Sequence, residues 1–300
     1  MQRRRFVELL GALVAYPMLD KDETLEVITK AIPSSGEPIP VIGMGTWLTF
    51  DVGRSSSDRT RLRGVLQTFF DRGGRLIDSS PMYGRSELVV GELLPQINPR
   101  PPLFSATKVW TPGRRFGVMQ MEASQKLWRV PKFDLLQVHN LLDWEGHLQT
   151  LKDWKASGRV RYIGVTTSHG RRHEELERIM LREPLDFVQF TYNLADRSAE
   201  SRLLPLAHER KIAVILNRPL DGGNLFDRVR GKALPTWASE FGCTTWSQFF
   251  LKFVVSHPAV TCAIPATSQV AHMSENMGAA VGQLPDAPMR ARMAAYYGTL

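Results

Sequence analysis

From residue 39 onward the chain alternates between two hydrophobic patterns. Short runs of apolar, β-rich residues give way to longer stretches in which apolar positions recur three and four residues apart, and the order then repeats. A short, mostly apolar and β-rich run of four to six residues suits a strand buried on both faces, as in a parallel sheet covered by helices. Such runs fall at 41–45, 75–78, 103–107, 135–138, 160–165, 187–190, 213–216 and 261–264, which predicts eight strands. Helical periodicity fills the intervals near 60–72, 86–94, 117–129, 145–156, 172–183, 200–210 and 245–256, with a last helix near 271–281. Strand starts recur roughly every 25 to 30 residues, the period of one βα unit, and eight such units close a barrel. The interval 217–244 departs from the rhythm, and Gly222, Gly223 and Gly231 mark it as a long loop after the seventh strand.

The predicted class is α/β: a single-domain (β/α)8 TIM barrel over residues 36–300, preceded by a leader and linker over 1–35. The competing arrangement is an open, doubly wound sheet. Its dinucleotide fingerprint needs a third glycine and a helix opening directly from the loop, and the segment around Gly43 and Gly45 has neither.

Composition narrows the function. Hydrophobic residues make up 43% and charged residues 23%, enough apolar material for a large core, so disordered and fibrous classes drop out. The net charge of +8 allows an anionic partner. Basic residues cluster only at Arg3, Arg4 and Arg5 and form no aromatic-basic stripe elsewhere, so nucleic acid is not the expected partner. Cys243 and Cys262 lack metal-ligand spacing, and no metal is expected.

The three arginines precede a mostly apolar run over residues 6–19, the order of a signal peptide. Together with Phe6 and Val7 they resemble a twin-arginine export signal, which would place the protein in the periplasm and make the first thirty residues dispensable to the barrel. A second reading stays open because Glu8 interrupts the run and no A-x-A cleavage site follows. In it, Phe6, Leu9, Leu10, Leu13 and Val14 form the buried stripe of a helix in a cytoplasmic protein. No later stretch reaches the roughly 20 apolar residues of a membrane span.

Chemistry is expected at the C-terminal ends of barrel strands. Asp78, Lys108 and His139 end three consecutive predicted strands, and Tyr83 follows Asp78 by five residues. Singly, these read as a helix cap, a rim charge, a loop histidine and a half-buried ring. Jointly they supply a proton donor, a cation to tune it, an anion to hold the cation and a neutral hydrogen-bond donor. Tyrosine, with an ordinary pKa of about 10, needs such tuning to act as an acid near neutrality.

These residues carry a resemblance to the aldo-keto reductases, in V-I-G-M-G-T-W at 41–47, L-I-D-S-S-P-M-Y-G-R-S-E at 76–87, A-T-K-V-W at 106–110 and L-L-Q-V-H-N-L-L-D at 135–143. It extends from about residue 36 to 282. The resemblance implies reduction of a small aldehyde or ketone by NADPH, with NADH also possible. Tyr83 would be the general acid, Lys108 would lower its pKa, Asp78 would pair with Lys108, and His139 would orient the carbonyl. Thr166, Thr167 and Gln189 would bind the nicotinamide carboxamide. Asn217 stands where an aromatic usually stacks on the nicotinamide, with Arg218 beside it, and Pro219, Leu220, Gly222 and Leu225 belong to the loop over the pyrophosphate. Ile264, Ala266, Thr267, Ser268, His272, Glu275 and Asn276 would form the adenosine end. Ala266 and His272 replace a frequent lysine and arginine, which weakens the expected preference for a 2′-phosphate. Trp47 and Trp110 are expected to wall the substrate pocket. Two rivals are a cofactor-sensing subunit on the same barrel, against which the intact tetrad argues, and a metal-dependent barrel hydrolase, for which only Asp78 and His139 qualify as strand-end ligands.

Overall fold

The computed structural model of the chain describes residues 26–98 and 102–300. A short antiparallel hairpin comes first, β1 (Thr29–Ala31) against β2 (Pro38–Pro40), turning through Gly36 at φ +76°. Strands and helices then alternate: β3 (Met44–Gly45), α1 (Ser56–Asp71), β4 (Leu76–Asp78), α2 (Ser86–Leu93), β5 (Phe104–Val109) and α3 (Arg114–Trp128). They continue with β6 (Phe133–Val138), α4 (Trp144–Ala156), β7 (Val160–Thr166), α5 (His173–Arg182), β8 (Phe187–Thr191) and α6 (Leu203–Glu209). The last third holds β9 (Ala213–Asn217), α7 (Asn224–Arg228), α8 (Trp246–Val255), β10 (Cys262–Ala263), α9 (Val270–Met277) and α10 (Ala287–Gly298). Strands β3 to β10 pair in parallel, each with the next, and bridges from Ile42 to Ala263 and from Gly45 to Ala266 close the ring. All eight predicted barrel strands and all eight predicted helices are present, and the fold is the (β/α)8 barrel.

The strands are mostly apolar because each has two faces to bury. One face meets the helices, and the other fills the barrel with Leu76, Phe104, Leu135, Tyr162, Phe187, Ala213, Ile215 and Cys262. Phe104 and Tyr162 stack with centroids 5.8 Å apart, and Phe187 meets Tyr162 edge-on at 5.6 Å. The glycines of the first strand have a packing reason. A Cβ on Gly43 would stand 2.9 Å from Leu76 O, and one on Gly45 would stand 2.8 Å from Ile264 O, so neighbouring backbones leave no room for a side chain.

The hairpin forms the floor of this interior. Ile32 and Ile39 are fully buried in the same cluster. Lys30 Nζ donates to the carbonyls of Val255, His257 and Val260 at 2.7, 2.8 and 2.7 Å, and Ile28 N donates to Ala280 O at 2.7 Å. The expected division between residues 35 and 36 therefore runs through the hairpin, and residues 26–35 pack with the barrel. Strands of three residues, two of them prolines in β2, are too short to give a periodic signal. The arginines at 3–5 and the apolar run over 6–19 lie outside the described residues. Among those described, no helix is long and apolar enough to cross a membrane.

Candidate active site

Strand β4 ends on Asp78, β5 carries Lys108 next to its last residue, and His139 follows directly on β6, so parallel pairing brings all three to one end of the barrel. Asp78 and Lys108 are buried, and Lys108 Nζ donates to Asp78 Oδ2 and, at 2.8 Å, to Ser79 O. The other carboxylate oxygen of Asp78 accepts from Gln137 Nε2 at 3.2 Å and from Gln189 Nε2 at 3.1 Å. A buried ion pair persists only when its remaining hydrogen-bonding capacity is met in this way.

A turn after β4 delivers Tyr83. Tyr83 N donates to Ser80 O at 2.9 Å, and Met82 N donates to Ser80 Oγ at 3.2 Å. Lys108 Nζ stands 5.0 Å from the centre of the Tyr83 ring, and that ring meets the His139 imidazole edge-on, centroids 5.7 Å apart. Ser80 Oγ lies 2.8 Å from His139 Nδ1. The loop beyond His139 bends through left-handed backbone at Asn140, Leu141 and Asp143, with φ of +52°, +55° and +49°. Asn and Asp tolerate that region, whereas Leu141 is strained there, a cost that functional loops often carry.

Burial pushes the Lys108 ammonium down, but the charge and hydrogen bond of the Asp78 carboxylate, joined by Tyr83 once it is a phenolate, outweigh it and hold the group above its ordinary value. Burial pushes the Tyr83 phenol up, and Lys108 opposes the rise without cancelling it. The expectation that Lys108 brings Tyr83 below its ordinary value is thus met in direction of pull but not in net effect. The phenolate loses its hydration, and the one ammonium beside it is already shared with Asp78. Burial, helped by the Lys108 charge, drives His139 down to about 2, so the imidazole is neutral.

An elongated cavity of about 630 Å³ opens above this cluster. Trp47, Leu48, Met82, Tyr83 and His139 line one end. Gln189, Asn217, Arg218, Pro219, Leu220 and Gly222 line the middle, and Ile264, Ala266, Thr267, His272, Glu275 and Asn276 the far end. Several expected contacts stand elsewhere. Lys108 lies behind the wall, Leu225 is buried outside the lining, and Ser268 is half-buried beside it. Trp110 is 41% exposed and outside the cavity, its backbone held to Gln120 by hydrogen bonds at 2.6 and 3.0 Å. Thr166 Oγ1 accepts from Asn140 N at 3.0 Å. Thr167 Oγ1 is buried without a hydrogen-bond partner and lines a smaller side cavity with Asn140, Ser168 and His169. The Gln189 amide already spans Asp78 and Asn217, and Asn217 Nδ2 also donates to Thr167 O at 2.8 Å.

The long cavity has the donors that a dinucleotide needs. Arg218 and His272 line it, and α9 presents its N-terminal end beside Thr267, a favourable place for a phosphate. Gly222 and Gly223 lie at φ +66° and +104°, and a Cβ on Gly223 would meet nothing within 4 Å, which leaves open backbone along the middle of the cavity.

A model of the Aldo/keto reductase family matches residues 41–295. The chain belongs to that family.

Aldo-keto reductase YhdN of Bacillus subtilis is 29% identical over 210 residues, a match covering 65% of this chain and 62% of that protein. An NADH-specific methylglyoxal reductase of Escherichia coli is 24% identical over 229 residues, covering 65% and 68% respectively. In fold, the chain is similar to a Klebsiella pneumoniae aldo-keto reductase solved in complex with NADPH. The TM-score is 0.72 at 23% identity, over 90% of this chain and 95% of that one.

Within this aldo/keto reductase, the sequence pointed to the tetrad but missed four residues around it: Ser80, Gln137, Asn140 and Phe226. Gln137 carried a usable signal, being a polar side chain inside an otherwise apolar strand run, L-L-Q-V. Phe226, an aromatic lining the cavity from the five-residue helix α7, and Asn140, which lines both cavities from the loop after β6, belong to segments too short to carry a periodic signal.

Proposed function

We propose that this aldo/keto reductase moves a hydride from NADPH or NADH to a small aldehyde or ketone. The carrying observation is that Asp78, Tyr83 and His139 line one cavity of about 630 Å³ together with Arg218, Thr267 and His272, while Lys108 sits against Asp78 and the Tyr83 ring. Bound there, a reduced nicotinamide supplies the hydride. Tyr83, protonated at neutral pH, gives its phenolic proton to the carbonyl oxygen. Lys108 stabilises the phenolate that remains, Asp78 holds Lys108 in place, and neutral His139 donates a hydrogen bond that sets the carbonyl's direction. Gln189 and Asn217 face the nicotinamide end, Arg218 and Gly222 the pyrophosphate, and Thr267, His272 and Asn276 the adenosine. Without lysine at 266 or arginine at 272, the preference for NADPH is modest.

The test is Tyr83→Phe, assayed with 4-nitrobenzaldehyde. Turnover should fall at least ~10²-fold, the usual worth of a positioned acid, while NADPH affinity read by fluorescence quenching stays within a few-fold. Near-wild-type turnover would remove the acid assignment. Tight NADPH binding by the wild type with no turnover of any carbonyl would favour a sensing role instead.

We further propose export through the twin-arginine-like segment, supported by the order of Arg3, Arg4, Arg5, Phe6 and the apolar run behind them. Changing the three arginines to lysine should leave the protein in the cytoplasm on fractionation. An unchanged compartment would defeat the export reading.

A further inference from the structure

We propose that Ser80 is a positioning residue that fixes the tautomer of His139, placing the imidazole proton on Nε2 and leaving Nδ1 as an acceptor. The proposal concerns the ring itself, and its catalytic consequence rests on the reading of His139 as the group that orients the carbonyl.

Ser80 is fully buried and is not among the residues lining the cavity, so its hydroxyl has no water to turn to, and His139, 4% exposed, reaches the cavity only with part of its ring. A serine hydroxyl carries one proton and two lone pairs, and a neutral imidazole carries one proton on either of two nitrogens. Ser80 Oγ accepts from Met82 N at 3.2 Å and lies 2.8 Å from His139 Nδ1, its two hydrogen-bond partners among the described residues. If Nδ1 held the imidazole proton, Ser80 Oγ would accept two bonds and its own proton would have no acceptor. Buried donors are rarely left so. If the hydroxyl donates to Nδ1, its proton has an acceptor, and the imidazole proton must then sit on Nε2, the nitrogen without a protein partner among the described residues. Protonating both nitrogens is not an alternative, since burial and the nearby Lys108 ammonium keep the ring neutral.

The neighbouring hydroxyl does not share this task. Ser79 Oγ accepts from Thr46 Oγ1 at 2.9 Å, and its carbonyl accepts from Lys108. The turn that delivers Tyr83 is built on Ser80 O, so a single residue sets the approach of the acid with its backbone and the protonation pattern of the histidine with its side chain. A ring with Nδ1 protonated would present a bare lone pair on Nε2 to a carbonyl oxygen, a repulsive contact in place of a hydrogen bond.

The tautomer is readable by long-range 1H–15N NMR on the full chain labelled with 15N-histidine, without any turnover. The wild type is expected to show His139 protonated on Nε2. In Ser80→Ala the pattern should shift toward a mixture or to Nδ1, and in Ser80→Thr, which keeps the hydroxyl, it should return. In parallel, kcat for 4-nitrobenzaldehyde should fall in Ser80→Ala, at most by the ~10²- to 10³-fold that outright loss of an oxyanion donor costs, with NADPH affinity within twofold and recovery in Ser80→Thr. A wild type protonated on Nδ1 would overturn the proposal outright, even if no variant folds. An Nε2 pattern that survives in folded Ser80→Ala would overturn it too. A tautomer that shifts with no change in kcat would uphold the control by Ser80 and count instead against His139 as the orienting group.

Discussion

Tyr83 is held above the ordinary tyrosine value by burial, which has a measurable consequence if it is the proposed proton donor. An acid works in its protonated form, so the rate is lost as pH rises through its pKa. Burial has moved that pKa upward, so kcat/KM for an aldehyde should stay level on the alkaline side to about pH 10, the ordinary tyrosine value, and fall only above it. His139 adds no acidic limb near neutrality, its pKa lying at about 2. A profile that drops near pH 8 would put the titrating acid elsewhere. At this scale the tetrad was legible because a charge ending an apolar strand has no packing reason to be there. The positions of Thr166, Thr167 and Trp110 were not legible. Thr166 is bonded to Asn140 in a loop and Trp110 to Gln120 on α3, while the Thr167 hydroxyl finds no partner, and sequence spacing reports none of these pairings.

Elements repeat the contrast between strong and weak signals. Strands buried on two faces wrote themselves as apolar runs, and helices with one buried face wrote themselves at period 3.6, so the barrel could be read in full. The hairpin of β1 and β2 left no such trace, yet its two isoleucines seal the interior from below. Ile32→Ala should therefore destabilise the protein by about 2 to 5 kcal/mol, the cost of a cavity at a fully buried position. Ser34→Ala, at an exposed position two residues on, should change stability by less than about 0.5 kcal/mol. Urea unfolding of the two variants checks both values. A negligible loss for Ile32→Ala would mean that the floor contributes little to the barrel.

For the molecule as a whole, the cavity draws on residues from β3 to α9, so a ligand filling it ties much of the ring together. NADPH at about a hundred times its Kd should add ~2.7 kcal/mol, raising Tm by roughly 5 °C in a chain of this size, as read by scanning fluorimetry. In Ala266→Lys the NADPH shift should grow by the equivalent of about 1 kcal/mol if the lysine reaches a 2′-phosphate, while the NADH shift stays put. No shift with either nucleotide would disqualify the cavity. The ring is joined where Ile42 meets Ala263 and Gly45 meets Ala266, and this seam governs how the protein is made. During translation, β3 emerges about 220 residues before the strand that must lie against it, an interval of roughly 10 to 40 s at ribosomal speed. Until then the growing sheet offers unpaired edges at both ends, which invite pairing with other chains. Nucleotide offers no shelter in that interval, because half of its site has yet to be synthesised. The nascent chain, rather than the finished barrel, is the stage at which unpaired strand edges leave this protein open to aggregation.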